Sequence, residues 1–131
     1  VTLSLSKGVF AAAAVAIALA GCSFQNKAEK EADKITHAVI ANDMSPVIND
    51  FDSQARPKIT RVAVARYADE LNQQGKYKHI KEVQVPAGSV PGTHLFDVEF
   101  EKHMYTETMV LDDNGEVRSW NFHMKSAAPA P

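Results

Sequence analysis

Residues 93–101 read THLFDVEFE, an alternation of apolar and acidic side chains. Phe96, Val98 and Phe100 share one parity, and the acidic residues share the other, which is the period-two pattern of a half-buried β-strand. Burying the acidic set instead would place unpaired charges in a core, at a cost of several kcal/mol. The pattern therefore predicts a strand over 93–101 whose phenylalanines face the interior.

Three further strands are predicted around this one, over 77–85, 104–111 and 116–124. The last two are joined by Asp112-Asp113-Asn114-Gly115, a four-residue hairpin turn in which Asn or Gly takes the positive φ that closes the loop. In the fourth strand Trp120, Phe122 and Met124 share one face, and parity places that face toward the core. Consecutive strands with short connections predict an antiparallel meander.

Three helices are predicted to precede the sheet. Ala28, Ala32, Ile35 and Val39 form one stripe of a helix over 27–42. Ser45-Pro46 is typical of a helix start, and Arg56-Pro57 of the end of a short helix containing Val47, Ile48 and Phe51. Thr60 can cap a third helix that runs to about residue 74, with Gly75 as its C-terminal stop.

This order of elements predicts an α+β fold in which N-terminal helices pack on a four-stranded antiparallel sheet. The chain resembles the nuclear-transport-factor-2-like, or ketosteroid-isomerase-like, cone fold of cystatin-like architecture. The resemblance rests on element order over 28–124, on the junction at 42–47 (NDMSPV) and on the hairpin at 111–117 (LDDNGEV) with its late aromatics. Small exported domains of this kind mostly have no assigned activity.

The N-terminal segment has the features of a secretory signal. Lys7 supplies a positive charge, residues 9–20 are uncharged and apolar, and the segment is short for a membrane span. It ends in Leu19-Ala20-Gly21-Cys22, which resembles the lipobox of bacterial lipoproteins. The resemblance implies that 1–21 is a signal peptide cleaved between Gly21 and Cys22, and that 22–27 is the lipidated cysteine with a short tether.

In lipoproteins the cysteine thiol forms a thioether with diacylglycerol, and acyl chains such as palmitate hold the protein on a membrane without crossing it. Cys22 is the only cysteine, so no intramolecular disulfide can form, and lipidation would cap its thiol. Ser23, rather than Asp, follows it, which resembles default sorting to the outer membrane facing the periplasm if the host has two membranes. An uncleaved anchor helix is the alternative.

Composition and spacing exclude several classes of function. Charged residues make up 23% of the chain with a formal net charge of −2, and both signs are interspersed, which argues against nucleic-acid binding. The five histidines lack the spacing of a ligand pair on a helix, so no metal site and no cofactor are predicted. Residues 125–131 (KSAAPAP) have nothing to bury and are predicted to be a disordered tail.

A pocket between the sheet and the third helix is the candidate ligand site. Glu107 and Tyr105 share a face, and the resemblance implies enzymes that pair a carboxylate base with a tyrosine; a structural polar pair is the simpler explanation. On the helix-facing side of the sheet the aromatic residues are first of all core, and Trp120 is the exception, because its indole N–H needs a partner and such a residue often marks a cavity wall. The candidate pocket residues are Trp120, Phe96, Val64, Ala68, Leu71, His94, Tyr105 and Glu107.

These observations leave three functions open. The first is a lipid-anchored, non-enzymatic module of the cell envelope that binds a small apolar ligand or an envelope protein. The second is a small lyase or isomerase of the ketosteroid-isomerase-like kind, and the third is a homodimeric structural spacer. A desolvated carboxylate or histidine beside an apolar cavity would favour the enzyme, because a binding module needs only the cavity or a flat patch.

Overall fold

A computed structural model describes residues 26–127, and the predicted signal segment with Cys22 lies outside that range. Two helices precede four strands that pair in the order β1-β2-β3-β4, each antiparallel to its neighbour. The α+β layout is therefore confirmed. The elements are α1 (Lys27–Ile40), α2 (Arg61–Asn72), β1 (Tyr77–Val83), β2 (Thr93–Phe100), β3 (His103–Leu111) and β4 (Val117–Ala127).

The core lies between the helices and one face of the sheet, and the parity prediction for β2 is confirmed. Phe96, Val98 and Phe100 are all buried. The register places Phe96 opposite Glu107, and Glu107 opposite Phe122, so this face is continuous across three strands. A one-residue slip would turn the apolar set to solvent, which fixes the register.

Helix α1 begins and ends with hydrogen bonds that the sequence makes available. The Asn26 side chain accepts a 2.7 Å bond from the Glu29 N–H, which is an N-cap. At the other end Asn42 adopts a φ of 52°, and the N–H groups of Asn42 and Asp43 donate to the carbonyls of Val39 and Ala38. This Schellman arrangement stops the helix at Ile40, two residues before the predicted end.

The short helix predicted after Ser45-Pro46 was wrong. Two 3₁₀ turns, Ile48–Asp50 and Arg56–Lys58, stand in its place, separated by Phe51 in extended conformation. The Asp52 N–H donates to the carbonyl of Val117 in β4, and the Asp52 carboxylate accepts from the Ala55 N–H at 2.8 Å. These bonds disfavour a helix here, because the N–H groups of Asp52 and Ala55 donate to other acceptors instead of to the carbonyls four residues earlier.

Helix α2 starts where predicted and ends slightly early. Thr60 caps it by accepting from the Ala63 N–H at 3.2 Å, and the helix ends at Asn72. Gly75 follows with a φ of +81°, and a Cβ at that position would collide with the Glu101 side chain. Glycine is required here both for its backbone angle and for this close approach.

The strand boundaries differ from the prediction mainly at the C-terminus. β4 extends to Ala127, so the predicted tail began too early, and its remaining residues, 128–131, lie outside the described range. The prediction that Met124 faces the core was wrong: the residue is half exposed, and it lies next to an irregularity in the β3–β4 register. Gly115 takes the positive φ of the hairpin turn, at 79°. Within residues 26–127, neither helix has the length and apolar composition needed to span a membrane.

Candidate functional site

A carboxylic acid lies in the middle of the core. Glu107 is on β3, one of the two inner strands, and its exposed fraction is 0%. Its Oε1 accepts a 2.8 Å hydrogen bond from the Trp120 indole N–H, and its Oε2 lies 2.8 Å from the Thr36 hydroxyl of α1. Both carboxyl oxygens are therefore occupied by protein groups.

Burial raises the pKa of Glu107 to about 8, although its bonds to Thr36 and Trp120 act in the opposite direction. The negative charge of Asp33 contributes further to the increase. At neutral pH the acid is therefore mainly protonated. Geometry is consistent with that state, because a protonated Oε2 can donate to the Thr36 oxygen while the Thr36 hydroxyl donates to the Ala32 carbonyl at 2.9 Å.

Trp120, which donates to Glu107, lies at the boundary between the core and the protein surface. Its ring is partly buried and packs edge-to-face on Tyr67 of α2, with ring centroids 5.3 Å apart, and on Phe122 at 5.1 Å. Edge-to-face pairs of this kind add to the stability that burial of the rings provides. The indole is thus fixed in position by two aromatic neighbours and by its bond to Glu107.

An open cleft of about 260 Å³ lies beside Trp120. Three segments form it: the turns between α1 and α2, the first half of α2, and the start of β4. The lining is mostly apolar, with two cationic side chains and no acidic one. It consists of Phe51, Ala55, Lys58, Ile59, Ala63, Val64, Tyr67, Arg118, Ser119 and Trp120.

The two cations of this cleft differ in their surroundings. The Nε of Arg118 lies 3.4 Å from Oδ2 of Asp52, a buried carboxylate. The Ala55 N–H and the Arg118 side chain lower the pKa of Asp52, so that carboxyl stays ionised. Among residues 26–127, Lys58 has no carboxylate within ion-pair distance. The cleft therefore has an uncompensated positive charge at Lys58.

The structure brings only two of the predicted pocket residues to this cleft, Val64 and Trp120. The others on the inner face of the sheet and on α2 are packed in the interior: Phe96, Ala68, Leu71, Tyr105 and Glu107 are all buried. The space between sheet and helix where the pocket was expected is filled by side chains. The cleft instead opens at the edge of that interface.

Tyr105 and Glu107 have separate hydrogen-bond partners. The Tyr105 hydroxyl donates to Glu70 of α2 at 3.1 Å, whereas Glu107 bonds to Thr36 and Trp120. Burial, together with the Glu70 charge, raises the pKa of Tyr105 to about 12. The two residues therefore share a face without forming the acid and base pair of a single site.

His94 lies at a different place. Its Nδ1 is 2.6 Å from Oε1 of Glu82 on β1, and both residues line a second cleft, of about 450 Å³, near the start of α1. In the part of the chain that the structure describes, no three or more His, Cys, Asp or Glu side chains come together in a way that could hold a metal ion. His94 is thus paired with a carboxylate on the neighbouring strand.

Sequence reasoning did not select Thr36, Lys58 or Arg118. Thr36 could have been found, because it follows Ala32 by four residues and so lies on the buried side of α1. Lys58 and Arg118 carry no comparable signal, since only the fold brings these two residues to the same cleft.

No protein family model, curated protein or solved structure matches the chain.

Proposed function

We propose that the chain is a lipid-anchored, non-enzymatic module of a bacterial cell envelope that binds a small apolar ligand in the cleft beside Trp120. The observation on which this proposal depends is the cleft itself. Its walls are mostly apolar, and the Trp120 and Tyr67 rings are fixed against each other at its side. Concave, mostly apolar surfaces with a few polar groups are the usual form of small-molecule sites.

The proposal extends to the fold family and the location of the protein. The order of helices and strands supports assignment to the nuclear-transport-factor-2-like cone fold. The stretch Leu19-Ala20-Gly21-Cys22 supports lipidation at Cys22 and attachment to a membrane surface. Attachment through Cys22 would place the domain next to the membrane, where small amphiphiles are concentrated.

A small lyase or isomerase is the second candidate, and Glu107 is the observation that favours it. A desolvated acid with a pKa near neutrality is a common feature of catalytic sites. A general base must come within hydrogen-bond reach of its substrate, however, and both oxygens of Glu107 are already bonded inside the core. This arrangement favours binding over catalysis.

Titration with the neutral fluorescent probe N-phenyl-1-naphthylamine tests binding in the cleft. Trp120 is the only tryptophan, so its emission reports on a ligand at that wall. We expect saturable quenching of Trp120, and loss of it in Ala63→Phe, which would fill the cleft. Ala65→Phe is the matched control, since Ala65 lines a different cleft on the same helix. Equal binding by both variants would exclude this cleft as the site.

The membrane anchor is tested separately. In a bacterial host, Cys22→Ser should abolish membrane association and leave the precursor uncleaved, because the thiol is the atom that receives the lipid. Mass spectrometry of the mature N-terminus is the measurement. A wild-type chain with an unmodified Cys22, or one cleaved elsewhere, would contradict the proposal.

A further inference from the structure

We propose that the ligand of the cleft beside Trp120 is a small amphiphilic carboxylate, whose apolar body lies on the aromatic wall and whose head group meets Lys58. This inference rests on the binding function proposed above and adds the chemical class of the ligand. It depends on the distribution of charge around the cleft and on the size of the cleft.

Charge is the first argument. Of the ten lining residues, Lys58 and Arg118 are cationic and none is acidic. The carboxylate of Asp52, which does not line the cleft, balances the positive charge of Arg118 through a 3.4 Å contact between its Oδ2 and the arginine Nε. Asp52 also accepts from the N–H groups of Ala55 and Gln54. The net charge presented to the cleft is therefore positive and is located at Lys58.

The position of this charge is the second argument. Lys58 is the last residue of a 3₁₀ turn and is exposed, while its neighbour Ile59 is partly buried in the core. Lys58 thus belongs to the exposed part of the lining, whereas the apolar residues Phe51, Ala55 and Val64 of the same lining are buried. A ligand that satisfies both regions needs an apolar body with an anionic group at one end.

Size limits the ligand further. The cleft measures about 260 Å³. A water molecule takes up about 30 Å³ of the liquid, so there is room for roughly nine such volumes. Because the cleft is open to solvent, it has room for a short acyl chain or for one ring system of an aromatic probe whose remainder stays in water, and too little room for the two chains of a membrane lipid. Octanoate is a suitable probe, with octanol and octylammonium as its neutral and cationic counterparts.

Competition with N-phenyl-1-naphthylamine at neutral pH measures the three affinities through Trp120 emission. We expect octanoate to bind about three- to fivefold more tightly than octanol, the range typical of a partly exposed charge pair, and octylammonium to bind more weakly than both. Added salt should reduce the preference for octanoate.

Lys58→Glu should remove the preference for octanoate over octanol, because the cation that favours the carboxylate is replaced by an anion. Lys81→Glu is the matched control, since Lys81 is exposed on β1 and does not line the cleft. Equal affinities for octanoate and octanol in the wild type, or the same result for both variants, would overturn the carboxylate assignment while leaving the binding function in place. Failure of all probes to bind would overturn the binding function as well.

Discussion

Replacement of Glu107 by glutamine should make the domain more stable at neutral and alkaline pH. The pKa of Glu107 is about 8 in the folded chain, against an ordinary value of 4.5. The folded state therefore binds more protons than the unfolded state between these two values, and the wild type loses stability as the pH rises through that window. A difference of one in pKa between the two states corresponds to about 1.4 kcal/mol, so the loss of stability approaches about 5 kcal/mol above pH 8.

Glutamine avoids this loss because it is uncharged in both states. Its Oε1 can accept from the Trp120 indole, and its amide can donate to the Thr36 oxygen, which reproduces the bonds of the protonated acid. Glu107→Gln should therefore match the wild type at pH 4.5 to within about 1 kcal/mol. It should exceed the wild type by about 3 kcal/mol at pH 7, because that pH lies 2.5 above the ordinary pKa and still below the pKa of Glu107 in the folded chain.

Urea unfolding at several pH values between 4.5 and 9 measures this difference directly. Asp113→Asn is the control, because it makes the same chemical change at an exposed position in the hairpin turn. The control should follow the wild-type curve at every pH. If the curves of Glu107→Gln and the wild type run parallel across the window, Glu107 is not protonated in the folded state and the reasoning fails.

Three further outcomes follow from the structure. Trp120→Ala should reduce the free energy of unfolding by about 3–5 kcal/mol, because the loss of a partly buried ring beside the cleft adds to the loss of the indole hydrogen bond to buried Glu107; chemical unfolding measures it, and a near-neutral change would contradict the packing and the bond described for Trp120. Gly75→Ala should cost about 1–2 kcal/mol in the same assay, since its φ is +81° and a Cβ would meet Glu101; an unchanged stability would show that the backbone there can relax. A chelator should leave the melting temperature unchanged, and a drop of several degrees would return the histidines to consideration as ligands.

Elements with strong periodicity could be predicted from the sequence, and the segment between the helices could not. Val47, Phe51 and Ala55 are spaced by four and all buried, as a helix would require, yet two 3₁₀ turns bury them equally well. What decides between the two structures is Asp52, which bonds to Ala55 nearby and to Val117 across the molecule. The second bond spans distant parts of the chain, so no local pattern could indicate it.

The sequence predicted which types of residue form the candidate site, an aromatic wall with a nearby carboxyl group, but it predicted the positions of only two lining residues, Val64 and Trp120. Parity placed Trp120 on the inner face and set Glu107 on the same face of its strand as Tyr105, without showing which face that was. The register sets Met109 opposite Trp120 and Phe122 opposite Glu107. The indole reaches Glu107 along the diagonal of this pair of strands, a relation that depends on the register and on the ring orientation. Val64 borders the surface cleft and Leu71 does not, because Val64 lies in the first half of α2, next to the turns that form the cleft, and Leu71 lies near the end of the helix.

The hydrogen bond between Trp120 and Glu107 also bears on the choice between the two proposed functions, because it lies between the buried acid and the cleft. The indole N–H is the only polar group of the Trp120 side chain, and it is directed at Glu107 in the core. A ligand in the cleft therefore meets an apolar ring, while the acid behind it is bonded at both oxygens and has no exposed surface. Catalysis by Glu107 would require Trp120 to leave its contacts with Tyr67 and Phe122, and the loss of two edge-to-face pairs and one hydrogen bond opposes that movement. The same contacts that satisfy Glu107 thus keep the wall of the cleft apolar and rigid, which is what recognition of an apolar ligand requires.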